Sequence, residues 1–192
     1  MGAAAKIKKL AAKKERLAVR RCADITMVEQ SQYRCRVLLS LVAVLLAMGI
    51  IFFFSSQTAE ASGNTSGRLV RAVLNVIAPD FDLLPKAKQD TLHFTVTVAI
   101  RKLAHFAEFA LLGFTLMQLI CTIQRRRKIK AGWLFAWGIG TFYAMTDELH
   151  QIFVEGRGPG LWDIVIDSAG VLAGAAVLLL LQYFIRRREQ SK

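Results

Sequence analysis

The chain has 192 residues, enough for one domain or a compact membrane bundle. It is 54% hydrophobic and its mean hydropathy is +0.39, high for a soluble globular protein, yet its formal net charge is +12. The basic residues cluster beside long uncharged runs, which excludes a uniformly basic nucleic-acid-binding surface and matches the pattern of cytoplasmic membrane loops.

Residues 1–36 form a basic arm with ten Lys and Arg. In KIKKLAAKKERLAVRR, Ile7, Leu10, Leu17 and Ala18 fall near one helical face, so the arm either lies on an anionic leaflet or stays a frayed tail. The first apolar run, 37–54, has 18 residues and no charge. Ala59-Glu60-Ala61 fits a signal-cleavage pattern, but the arm is very long and the run exceeds a usual signal core. The run is therefore expected to be retained as a span.

Residues 55–102 read as an outer segment. SSQTAEASGNTSG is a small, polar loop, and Ser66 is expected to cap a short amphipathic helix carrying Leu69, Val70, Val73, Leu74 and Ile77, ended before Pro79. Residues 94–100 alternate apolar and polar in the manner of a strand. With no partner strand in the sequence, they are expected to lead as helix into the second run.

That second run, 103–123, is interrupted only by His105 and Glu108. The third, 131–151, is apolar until Asp147, and the fourth, 161–185, is apolar after Asp167. About 20 residues at about 1.5 Å each cross a hydrocarbon core of about 30 Å. Four such runs in so short a chain leave too few polar faces for the buried helices of a soluble protein. The expected fold is all-α: a four-transmembrane-helix bundle over 37–185 with a short extracytoplasmic amphipathic helix, set between the 1–36 arm and a basic tail, 186–192.

Orientation follows from the short loops. The connection QRRRKIK carries five basic residues and the tail carries Arg186, Arg187, Arg188 and Lys192, whereas the EGRGPG loop has only Arg157. Both termini and the 124–130 loop are therefore expected in the cytoplasm, with 55–102 and EGRGPG outside. The outer segment has six basic residues, but four acids offset them and its length reduces their weight. Cys22, Cys35 and Cys121 all fall on the cytoplasmic side, so no disulfide is expected.

The polar residues inside these runs are the informative ones. His105 and Glu108 are three apart on one helical face, with Arg101 one turn before them. Asp147, His150 and Gln151 share a face at the end of the third run; Asp163 and Asp167 are four apart at the start of the fourth. Given the orientation above, every one of these groups lies in the outer half of its span. Each alone in lipid costs several kcal/mol, roughly, so the expectation is one shared site in which they partner one another. Blander readings exist piece by piece. Asp163 also suits a helix N-terminus facing water, Glu155 suits solvent, His150 suits the interface, and a lone His–Glu pair would serve as a polar staple between helices. Gly170 and Gly174, spaced GxxxG, suit close approach of another helix.

Together FSSQ (54–57), RKLAHFAEFALLG (101–113), TDELHQIF (146–153), Gly156-Arg157 and the Asp163/Asp167/Gly170/Gly174 ladder resemble the VanZ-like membrane family, in order and separation, over roughly 51–180. The resemblance implies a small polytopic bacterial envelope protein; the name-giving member is associated with low-level resistance to teicoplanin. It carries over Lys102, His105, Glu108, Asp147, Glu148, Gln151, Arg157, Asp163 and Asp167. Glu155-Gly156-Arg157 stands where the family often has Pro-Gly-Arg, and Asn or Asp occupies the position of Asp167.

From these residues the leading expectation is an outer-leaflet polar site that binds or modifies a lipid-linked or cell-wall-related ligand. His105, Glu108 and Asp147 form a candidate acid/base cluster; Arg101, Lys102, Glu148, Gln151, Arg157, Asp163, Asp167, Ser56 and Gln57 are candidate ligand-binding residues. Whether the protein is an enzyme stays open, since no nucleophile with its base is evident beyond Ser55 and Ser56. No cofactor is expected and no residue is assigned as a metal ligand. A divalent metal on His105, Glu108 and Asp147 is an alternative, without the tight two-histidine spacing of many zinc sites. The expected location is the bacterial plasma membrane. The expected partners are membrane lipids and a lipid-linked envelope precursor, with a second copy or another envelope protein left open and nucleic acid excluded. A transport conduit is disfavoured because no polar path continues inward, and a purely structural role in an envelope complex remains an alternative.

Overall fold

The computed structural model describes residues 2–124, 131–158 and 160–191, with side chains described from residue 27 onward except at 59, 64 and 65. The regular elements are α1 (Gly2–Ser55), α2 (Ala59–Ile77), a 3₁₀ turn (Phe81–Leu83), α3 (Lys86–Gln124), α4 (Gly132–Gln151) and α5 (Leu161–Gln190). Among the described residues there is no strand. The chain divides into two units: Met1–Leu39, formed by the amino-terminal part of α1, and Ser40–Lys192, which holds everything discussed below. The apolar face sought in the arm, Cys22 and the 125–130 basic loop lie outside the described residues or side chains. Cys35 is a free thiol.

Three helical stretches are long and apolar enough to cross a membrane: Met27–Ser55, Lys86–Gln124 and Leu161–Gln190. All extend past the runs read from sequence, because basic or polar ends continue a helix without being apolar. α4 has 20 residues but falls short in apolarity, since its last turn carries Asp147, Glu148, His150 and Gln151. Large apolar side chains stay exposed around the second unit, among them Leu45, Phe53, Trp133, Phe142, Leu180 and Phe184. A water-facing protein rarely shows apolar area on this scale, whereas a lipid-facing one does.

Small residues set the packing. A Cβ on Gly170 would collide with the Phe106 carbonyl, and one on Gly174 with the Ala110 carbonyl, while Gly113 lies against the backbone of Val171. From Lys102–Asp163 through Phe106–Gly170 to Ala110–Gly174 the residue numbers rise together, so α3 and α5 run parallel. The GxxxG spacing thus serves the close approach it suggested. The Tyr143 hydroxyl donates to the Met48 carbonyl (2.8 Å) and Ser55 Oγ donates to Asp147 Oδ2 (2.8 Å), so α1 and α4 are also parallel. α4 is antiparallel to α5, tied by Trp137 Nε1 donating to Ser168 Oγ (2.7 Å) and by Thr141 against the same hydroxyl (2.8 Å). Between them sits a core of Val44, Ala47, Ile51, Phe109, Leu112, Leu116, Ala136, Ala144, Val171 and Ala175.

The 55–102 segment differs from the reading above at one point. Its helix begins at Ala59, not near Ser66, and the cap is Thr58, whose hydroxyl accepts the Ala61 N–H at 3.2 Å. Ser66 lies inside the helix and donates back to the Ser62 carbonyl at 2.9 Å. A run of small polar residues is compatible with helix once capped, and Glu60 in the first turn suits the dipole. α2 buries Val70 and Leu74 against Val96 of α3, with Leu92 and Ile100 beside them. Residues 94–100 are helical, as expected. α3 is 39 residues long, roughly 58 Å by the helical rise, so its first turns overhang the bundle and carry α2.

Candidate functional site

The strand-free topology brings four pieces to one level: the carboxyl ends of α1 and α4, the amino end of α5, and residues 101–109 of α3. Arg157, Gly158 and Gly160 of the connection between α4 and α5 lie against them. Asp147 and Glu148, at 4% and 6% exposure, come from α4, and Asp167, at 2%, from α5. Their helices position them because each follows an interior stripe: Gly140, Ala144, Asp147 and Gln151 on α4; Asp167, Gly170, Val171 and Gly174 on α5.

Asp147 is the hub. One of its oxygens accepts from Ser55 Oγ and from Gln151 Nε2, both at 2.8 Å. Ser55 is fully buried. From sequence it was named beside Ser56 as a hydroxyl at the end of the first run, but only Ser56 was placed among the candidate ligand-binding residues. The signal was present in the phase of α1, where Ser40, Val44, Ala47, Ile51 and Ser55 form the buried stripe. Ser56 sits one residue out of phase, its hydroxyl 3.2 Å from His150 Nε2. His150 rests against Phe52, with ring centroids 4.9 Å apart. Ser56, Gln57 and His150 do not line the cavity described below, and Glu155 is exposed.

His105 and Glu108 face one another, with Nδ1 3.9 Å from Oε2, too long for a hydrogen bond. Arg157 reaches in from the loop. It donates to the Phe54 carbonyl at 2.9 Å, and its other terminal nitrogen lies 3.4 Å from His105 Nε2. That geometry asks His105 to present a lone pair on Nε2 to the guanidinium. Gly156 makes this possible: its φ of 74° is left-handed, a conformation a side chain resists, and it turns the chain so that Arg157 points back. Burial lowers the Arg157 pKa from its ordinary value, and the neighbouring Arg101 adds to that; a guanidinium nonetheless stays charged in a protein.

Three of the candidate residues secure the frame. Glu148 accepts the Gly160 N–H at 3.0 Å and so ties the end of α4 to the start of α5. Lys102 pairs with Asp163, joining α3 to α5; Asp163 thus combines an N-terminal position with an ion pair. Around these lies a narrow cavity of about 20 Å³, room for roughly one water molecule. Its floor is Glu148, Gln151 and Asp167; Arg101, Lys102, Arg157, Gly158 and Asp163 are its more exposed walls, with His105 between. Four buried polar atoms in and beside it have no hydrogen-bond partner among the described residues: His105 Nδ1, Glu108 Oε2, Arg157 Nε and Asp167 Oδ1. The metal set read from sequence differs from the one the fold assembles. His105, Asp147 and Asp167 bring one ligand atom each within 4.8 Å of one another, and Glu108 is not part of that group. Asp167 reaches the group because α5 runs parallel to α3 and close against it.

Long apolar helices around a buried polar site at one end define a helical membrane protein. A family model described as VanZ/LLP1 matches residues 40–182, and the chain belongs to that family. Comparison with curated proteins and with solved structures gave no match.

Proposed function

We propose that this is a multi-pass envelope protein of the bacterial plasma membrane, with α1, α3, α4 and α5 as four crossings and both termini in the cytoplasm. Its polar site lies in the outer half of the bundle and binds or modifies the anionic end of a lipid-linked or cell-wall-related ligand. At about 1.5 Å per residue, the 20 residues of α4 reach across the apolar core, and its polar last turn is sheltered by three neighbours. The basic clusters at 124–130 and 186–192 support that direction. The overhang of α3 with α2 then sits outside, beside the mouth of the site.

The observation that carries the reading is the pairing of cationic walls with unpartnered buried polar atoms. Arg101, Lys102 and Arg157 offer charge and hydrogen bonds to a phosphate or carboxylate, and Arg157 suits an oxyanion best. His105, Glu108 and Asp147 are the candidates for proton transfer, His105 and Glu108 through a bridging water because they stand 3.9 Å apart, and the Ser55 hydroxyl donates to Asp147. The cavity holds about one water molecule, so the charged tip of a ligand docks at its mouth, against Arg101, Lys102 and Arg157, while the ligand's chain lies along the exposed apolar helix faces. Family membership extends the proposal to a part in low-level glycopeptide (teicoplanin) resistance.

The test is mass spectrometry of lipids that co-purify with wild type, Arg157→Gln and Glu108→Gln, with abundance and teicoplanin sensitivity measured alongside. An anionic lipid enriched on wild type and lost from Arg157→Gln at full abundance supports the reading. Equal lipid on all three proteins overturns it. Loss of phenotype only in step with loss of protein favours a structural partner of an envelope complex instead.

A further inference from the structure

We infer that His105, Asp147 and Asp167 form a binding site for a first-row divalent cation, Zn²⁺ or Mn²⁺. The inference does not rest on the ligand reading above.

Three separate segments supply the group: the interior of α3, the last turn of α4 and the second turn of α5. Their ligand atoms already lie within 4.8 Å of one another. Around an ion with bonds of about 2.1 Å, ligand atoms sit roughly 3–4 Å apart, so closing onto it takes side-chain shifts of about 1 Å or less. The two carboxylates are 4% and 2% exposed, and Asp167 lines the floor of a cavity sized for a water molecule or an ion.

Asp167 is the independent sign of a ligand. Its Oδ1 has no donor among the described residues, and His105 Nδ1 has no hydrogen-bond partner there either. To ligate an ion through Nδ1 the ring takes the other tautomer and gives up the 3.4 Å contact with Arg157. Among the described residues none of the cavity's cations pairs with Asp167: Lys102 pairs with Asp163, Arg157 contacts the Phe54 carbonyl and the His105 ring, and Arg101 makes no ion pair with it. A carboxylate buried this deeply without a partner is costly, and a cation held by it and by Asp147 removes that cost. The donor set chooses the ion. One imidazole and two carboxylates suit Zn²⁺ or Mn²⁺; Ca²⁺ and Mg²⁺ prefer oxygen alone, and Cu⁺ prefers sulfur. Such an ion would stand at the floor of a cavity walled by arginine and lysine, the arrangement that holds a phosphoryl oxygen from two sides.

The experiment uses the full chain, tag removed, in detergent. The protein is stripped with chelator, reloaded with Zn²⁺ or Mn²⁺, desalted and assayed for metal by mass spectrometry. Wild type and Glu155→Gln are expected to retain about one equivalent per chain, and Asp167→Asn and His105→Ala at least about tenfold less. Wild type without bound metal, or Asp167→Asn loaded as fully as wild type, overturns the proposal. Should the variants aggregate, wild type alone decides: its melting temperature should rise on metal addition and saturate at one equivalent, and no rise overturns the site. Metal content and lipid content are separate readouts, so either reading can fail without the other.

Discussion

Gly174→Ala probes the contact on which the whole site depends. The added methyl would collide with the Ala110 carbonyl and with the Phe114 backbone nitrogen. Backbone cannot rotate away as a side chain does, so α3 and α5 must part or tilt. Overpacking of this kind costs about 1–3 kcal/mol, occasionally more. Alanine repays some of it, because it favours helix over glycine by about 0.8–1 kcal/mol. The collision is with main chain on both sides, which places the cost at the upper end and the net loss at about 1–2 kcal/mol. For a chain of this size that is roughly 2–8 °C in melting temperature. Gly138→Ala is the internal reference: nothing lies within 4 Å of its added methyl, so it keeps the propensity gain and should melt at or above wild type. The assay is thermal unfolding in one detergent, followed by helical circular dichroism. A Gly174→Ala protein as stable as Gly138→Ala would refute the parallel, backbone-to-backbone packing of α3 on α5, and with it the placement of Asp167 beside His105.

Ser55→Ala removes one of two donors to buried Asp147 and should destabilise by about 1–3 kcal/mol, whereas Ser56→Ala, on the exposed side, should cost less than about 0.5 kcal/mol; paired melts check both. Gly156→Val forces a side chain into a left-handed turn at about 1–2 kcal/mol and should weaken lipid retention as Arg157→Gln does, because it moves the same guanidinium. Arg157→Lys keeps the charge but not the fork that spans Phe54 and His105, and should bind the co-purifying lipid at least about tenfold more weakly, read by lipid mass spectrometry. A cysteine at Glu155 should react with a membrane-impermeant maleimide in intact cells while one at Glu189 should not; the reverse pattern would invert the proposed topology.

Some of this was legible because it is local. His105 with Glu108, Asp147 with Gln151, and Asp163 with Asp167 share faces by helical spacing alone. The family resemblance covered nearly the same stretch that the family match does. The α2 helix was legible in its apolar face but not in its start, since a capped run of small residues and an uncapped loop share one composition. Ser55 and Ser56 looked equivalent until the phase of α1 buried one and exposed the other.

The sequence by itself determined that the chain is helical, that long apolar stretches suit it to a membrane, and which ionisable groups sit within them. Periodicity and the cost of charge in lipid act within a single helix, so they can be read along the chain. Only the tertiary structure decided which groups meet: that Asp147 takes Ser55 and Gln151, that Glu148 and Lys102 hold the frame, and that Asp167 comes within 4.8 Å of His105 and Asp147 as a third possible ligand. Those choices follow from helix direction and close glycine contacts between segments far apart in sequence, and no local pattern encodes the rotation of one helix against another.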